Sequence, residues 1–225
     1  MLTESNEEDD YSFLAPMKIT PEYAKPLVRY IKNECKENGI KLGLVNKRLL
    51  KTDVGPCSGY FSEEEEMLAV AVDRDPADWL PVLAHESCHM DQWREDAKAW
   101  QVCMSNGHDS YTLMNAWLSG EVEFNTTQLK NHISRVRNLE ADCEARTVKR
   151  LREYKLPLDI ELQIRKANSY IVFYNMVAHT RKWYTVSPTY IQPILEAMPT
   201  KIIKPKFGNF KVPRRIKELY LKHVF

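Results

Sequence analysis

Apolar residues along this chain fall mostly at helical spacing, interrupted once by a short β-like stretch. Thr20 and Pro21 open a predicted helix that Gly39 closes, with Tyr23, Leu27, Tyr30 and Ile31 as its apolar stripe. Strand-like pieces follow at Lys41–Val45, Gly59–Ser62 and Met67–Val72; the last, MLAVAV, is short and unbroken in its apolarity. The segment DRDPAD at 73–78 reads as a turn. A helix is predicted from near Trp79–Pro81 to about Cys103, since proline is tolerated in a first turn. A short helical piece covers Tyr111–Leu118. Longer ones run from about Val122 to Tyr154 and from about Leu158 to Ala178, and Ser187-Pro188 opens a last short helix towards Met198. This pattern predicts a helix-dominated α+β fold with a small sheet between about Lys41 and Val72.

One helix carries chemistry. After MLAVAV stands His85-Glu86-Ser87-Cys88-His89, an H-E-x-x-H sequence. Residues four apart share a helix face, so two imidazoles can meet one ion, and zinc accepts such nitrogens at about 2.0–2.1 Å. Glu86 follows the first histidine and can reach a metal-bound water without binding the metal, the place of a general base. Cys88 points elsewhere on the helix and reads as a packed thiol. The competing reading is two surface histidines on an amphipathic helix.

A catalytic zinc needs a third protein ligand. The remaining histidines are His108, His132, His179 and His223. The extended pattern H-E-x-x-H-x-x-G-x-x-H is absent: Gln92 stands at its glycine and Glu95 at its third histidine. A glutamate on a later helix is the alternative. The long helix has an apolar stripe at Leu129, Ile133, Val136, position 140 and Cys143, and position 140 is Glu140. A carboxylate on such a stripe is costly unless paired or bound to metal. Glu144 lies one turn further on the same side, whereas Asp142 points away. A helical ion pair of Glu140 with Arg137 or Arg146 is the bland alternative.

His85-Glu86-Ser87-Cys88-His89 followed by Asn138-Leu139-Glu140-Ala141-Asp142-Cys143-Glu144 resembles the gluzincin branch of zinc metallopeptidases. Those proteins carry H-E-x-x-H and then E-x-x-x-D on a later helix. The chain also resembles small phage-encoded zincin-like proteins. The resemblance spans about Met67 to Leu151. It implies a zincin-like core, one catalytic Zn2+ held by His85, His89 and Glu140, and Glu86 as base. It also implies a supporting carboxylate at Glu144, where aspartate is usual. The implied activity is hydrolysis of peptide bonds in a peptide or protein substrate. A donor to the developing oxyanion is then needed. His179 and Tyr184 are the candidates, in a segment that also holds Arg181 and reads equally as an ordinary loop. Met67–Val72 takes the place of the edge strand on which an extended substrate pairs. The run Glu63–Glu66 beside it either favours basic substrates or simply solvates the strand entry.

Composition narrows the rest. With 225 residues, 44% hydrophobic and 28% charged, the chain is globular, and a net charge of +1 excludes a whole-chain electrostatic nucleic-acid binder. The acidic start, MLTESNEEDDYSF, predicts no secretory leader, and no apolar run is long enough to span a membrane. Five cysteines without a C-x-x-C pair predict free thiols and a cytoplasmic location. The expected organisation is an acidic tail at 1–12, a zincin-like domain at 13–200 and a basic extension at 201–225. In that extension eight basic residues face Glu218 alone, a surplus of seven. Such a run is either a solvated strap around Pro205 and Pro213 or a patch for phosphates, making nucleic acid a candidate partner. A zincin-fold protein without turnover, acting as a binding or structural module, is the alternative to the peptidase.

Overall fold

The chain's local signals set most of its elements, seen in a computed structural model that describes residues 20–52, 55–104 and 109–225. The predicted tail at 1–12 and His108 lie outside the described residues. The fold is helix-dominated α+β with a small sheet, in two compact units, one up to Met90 and one from Asp91 to Phe225. Among the described residues no helix is long and apolar enough to cross a membrane.

The first unit opens with a 3-10 turn at Glu22–Ala24 and helix α1, Lys25–Glu37. The tighter turn changes the phase of the stripe. Leu27, Val28, Ile31 and Cys35 are buried, while Tyr23 is 44% exposed and leaves the predicted stripe. Gly39 takes a positive φ of 73° just past the helix, as its position predicts. Five strands follow: β1 Lys41–Val45, β2 Leu50–Thr52, β3 Gly55–Cys57, β4 Gly59–Ser62 and β5 Met67–Ala71. β2 and β3 form a small antiparallel pair that the sequence pattern did not predict. The other three make a sheet in the order β1-β5-β4, with β1 parallel and β4 antiparallel to β5.

β5 is therefore the central strand, not the edge. All five of its residues are buried, and it is hydrogen-bonded on both sides. Its unbroken apolarity is the mark of a strand covered on both faces. The glutamate run Glu63–Glu66 forms the turn between β4 and β5.

Helix α2 spans Pro76–Arg94, starting earlier and stopping sooner than predicted. Asp75 caps it, accepting from the Ala77 amide at 2.8 Å, and Pro76 takes the first position. Pro81 lies inside the helix. It forfeits the bond to the carbonyl of Ala77, an exposed residue whose carbonyl water can serve. At the far end the Asp96 amide donates to the Trp93 carbonyl and the Ala97 amide to the Gln92 carbonyl, with Asp96 at φ 51°. That is a Schellman stop with aspartate where glycine is usual. The predicted single helix thus divides into α2 and α3, Lys98–Met104.

The second unit takes the last turn of α2, then α3, α4 (Ser110–Ser119), α5 (Thr126–Glu153), α6 (Ile160–Thr180), α7 (Gln192–Ala197) and α8 (Arg214–His223). Asn125 and Gln128 make a reciprocal capping box at the start of α5, and Asp159 caps α6. The core gathers Met114 and Trp117 of α4, Ile133 and Val136 of α5, and Phe173, Met176 and Val177 of α6. Tyr220 and Val224 also enter it, and the Tyr220 hydroxyl donates to the Ser169 carbonyl. The basic C-terminal run thus ends in a helix docked on the core, which the charge pattern alone did not reveal.

Candidate metal centre

On α2 the imidazoles of His85 and His89 meet edge to face with centroids 4.8 Å apart. Both rings are half-buried, and Cys88 is fully buried as predicted. The spacing of four and the shared face put two nitrogen donors side by side.

Glu86 is 9% exposed and lies against β4. Gly59 makes that approach possible. A Cβ there would sit 2.8 Å from Val82 Cγ1, 2.9 Å from the Ala69 carbonyl oxygen and 3.2 Å from Glu86 Cγ. Burial pushes the Cys57 thiol up to about 11, with the nearby Glu86 charge adding to it. The sequence reading did not single out Gly59 or Cys57; a glycine inside a strand pattern was the available signal. Gly59→Ala is expected to cost about 1–3 kcal/mol in urea unfolding, since the Ala69 backbone must move. A midpoint equal to wild type would show that the approach is not tight.

On α5 Glu140 is buried at 4% exposure. Its Oε1 lies 3.4 Å from the Tyr174 hydroxyl, a long contact, and that hydroxyl is 3.2 Å from the Tyr170 hydroxyl. Burial, then the Glu140 charge, raises the Tyr174 phenol well above its ordinary value, so it stays protonated and able to donate. Burial also raises the Tyr170 phenol. Neither tyrosine was singled out in the sequence, because an aromatic on a helix stripe reads as core.

The bland partners of Glu140 are engaged elsewhere. Arg146 pairs with Asp142 and Glu95, each at 2.8 Å, and Arg137 binds Asn175 and two main-chain carbonyls. Asp142 also accepts from Gln92 Nε2 at 2.8 Å, a bond that ties the last turn of α2 to α5. Asp142 is thus held by two donors of the scaffold. Glu144, one turn beyond Glu140, is half-buried, and Cys143 is fully buried.

The two oxyanion candidates sit in structural roles. His179 Nε2 is 2.9 Å from the Phe210 carbonyl. The Tyr184 ring packs 5.1 Å from Phe173 and 5.3 Å from Trp183. Arg181, from the same segment, binds the Trp117 carbonyl and Glu123.

Comparison of the chain with family models, curated proteins and solved structures gives no match.

Proposed function

We propose that this protein is a zinc-dependent peptidase of the zincin type, with His85, His89 and Glu140 as ligands of one zinc and Glu86 as general base. The observation that carries the reading is the pair of imidazoles packed edge to face on α2, beside a buried Glu86. The donor chemistry fits zinc. Two neutral imidazoles and one carboxylate leave a fourth position of the tetrahedron open, as a catalytic site requires. The α5 helix offers a second buried donor, Cys143, one turn from Glu140 on the same stripe. Cys143 is the rival third ligand; Glu140 is preferred because a carboxylate is far costlier to bury on an apolar stripe than a thiol.

His85, His89 and Glu140 would hold the zinc, which would supply an acidified water and a Lewis acid for the carbonyl. Glu86 would accept the proton of the attacking water and return it to the leaving amine nitrogen. Gly59 lets the Glu86 stalk lie flat on β4, which limits the conformations its carboxylate can sample. The Tyr174 hydroxyl, 3.4 Å from Glu140 Oε1, would orient the carboxylate by closing to it when metal binds. An extended substrate would pair on β4, an outer strand of the three-stranded sheet that lies beside Glu86, in place of the central β5.

Metal analysis tests the ligand set. As-purified wild type is expected to hold about one zinc per chain. Glu140→Ala should lose it and Asp142→Ala should keep it. Tyr174→Phe should weaken retention by roughly tenfold or more, as removal of an orienting partner does. Loss from Cys143→Ala with retention in Glu140→Ala would make the thiol the ligand. Zinc retained by His85→Ala or His89→Ala would end the proposal.

A further inference from the structure

Residues 198–213 form no helix or strand, yet their backbone is held at many points. Arg165 binds the Met198 carbonyl, and Asn168 binds those of Pro199 and Lys201 while accepting the Ile203 amide. Arg137 binds the carbonyls of Lys206 and Asn209, and Ser134 accepts the Gly208 amide. His179 closes the series at the Phe210 carbonyl. Every one of these bonds comes from a side chain of α5 or α6 and ends on main chain. The strap is therefore fixed without any help from its own lysines.

Those lysines are left to solvent. Lys201, Lys204, Lys206 and Lys211 on the strap, and Arg214, Arg215, Lys217 and Lys222 on α8, are all exposed. Among the described residues only Arg214 has an ion-pair partner, Glu218 at 2.8 Å. The chain as a whole is nearly neutral, so this surplus of seven is concentrated in one segment. In its midst Phe207 is 54% exposed, between Lys206 and Gly208. Phe207 thus keeps about half of its surface in water within a segment rich in unpaired cations. This matches a surface where cations track a phosphate backbone and an aromatic ring receives a base.

We propose that residues 201–222 bind single-stranded nucleic acid, with the lysines and arginines on its phosphates and Phe207 stacked on a base. A single strand is required because a base paired in a duplex does not offer its face to a side chain. The rigid backbone lowers the ordering cost of binding. The proposal is independent of the metal reading.

The test uses the full chain and fluorescently labelled oligo-dT and oligo-rU of about 20 nucleotides, longer than one stacking site. Binding by anisotropy is expected for both between about 50 and 200 mM salt, with log affinity falling, per tenfold rise in salt, by about 0.7 for each phosphate neutralised. The triple variant Lys204→Gln/Lys206→Gln/Lys211→Gln should flatten that slope by about 2. Phe207→Ala should weaken binding about tenfold and Phe207→Trp should restore it. A preference for rU would assign RNA as the source of the strand, and equal affinity the chemistry shared with DNA. All these positions are exposed, so circular dichroism should be unchanged. The proposal falls if a duplex of the same length binds as tightly, or if Phe207→Ala binds like wild type. It also falls if nothing binds near 50 mM salt. Equal displacement by poly-glutamate would indicate an acidic protein partner instead, and protein held on phosphatidylserine vesicles that the oligonucleotide cannot release would indicate a membrane surface.

Discussion

Glu86→Gln is expected to abolish peptide hydrolysis, by at least about a hundredfold, while fold and zinc content stay as in wild type. The amide keeps the shape of the side chain that lies against Gly59 but cannot accept the proton of the attacking water. His85 and His89 keep their shared face, because their placement depends on the helix and not on residue 86. Burial sharpens the expectation: residue 86 is only 9% exposed, so solvent buffer is a poor substitute for its carboxylate. A denatured protein digest or a random peptide library, read by mass spectrometry, supplies a substrate without assuming one. Cleavage by Glu86→Gln at the wild-type rate would rule out the base. A zinc-loaded wild type that cleaves nothing in such a library would favour the binding module over the peptidase.

The sequence carried the candidate donors because each breaks a pattern or repeats one. His85 and His89 repeat at four, and Glu140 interrupts a stripe that is otherwise apolar. The structure puts Glu140 in the core, at 4% exposure, as that interruption implies. Its contact with Tyr174 was hidden for the opposite reason: a tyrosine on a buried stripe breaks no pattern, and only the hydroxyl's neighbour gives it a role. Signals at element ends differ in kind. Gly39 marks the end of α1, whereas the Schellman stop of α2 uses Asp96 and gives no glycine to read. β2 and β3 have three residues each, too few for a period to show. Helix α8 is hidden because it follows Pro213 with no side-chain cap and its dense run of charge masks the stripe Ile216, Leu219 and Tyr220 that meets the core.

Arg137→Ala is expected to destabilise the protein by roughly 3 kcal/mol or more, a larger loss than any strap lysine would cause. Arg137 is fully buried and no carboxylate pairs with it among the described residues. Burial pulls its guanidinium down to about 10, so the charge is held at a cost and still present at neutral pH. What offsets that cost is neutral: Asn175 Oδ1 at 2.6 Å, the Asn209 carbonyl at 2.7 Å, the Lys206 carbonyl at 2.8 Å and the Phe210 ring at 5.0 Å. Alanine would leave three part-buried acceptors without their charged donor and a void under the ring. The effect should be local first. Amide exchange at Gly208, Asn209 and Phe210 should rise well before global unfolding, because Ser134 and His179 alone would then hold that stretch. Lys206→Ala removes a side chain that points to solvent but leaves its carbonyl, and should change unfolding by no more than about 0.5 kcal/mol. Urea unfolding of the two variants beside wild type separates the cases. Equal stability in Arg137→Ala and Lys206→Ala would mean that the strap is not held through Arg137, and the fixed backbone on which oligonucleotide binding depends would lose its main anchor.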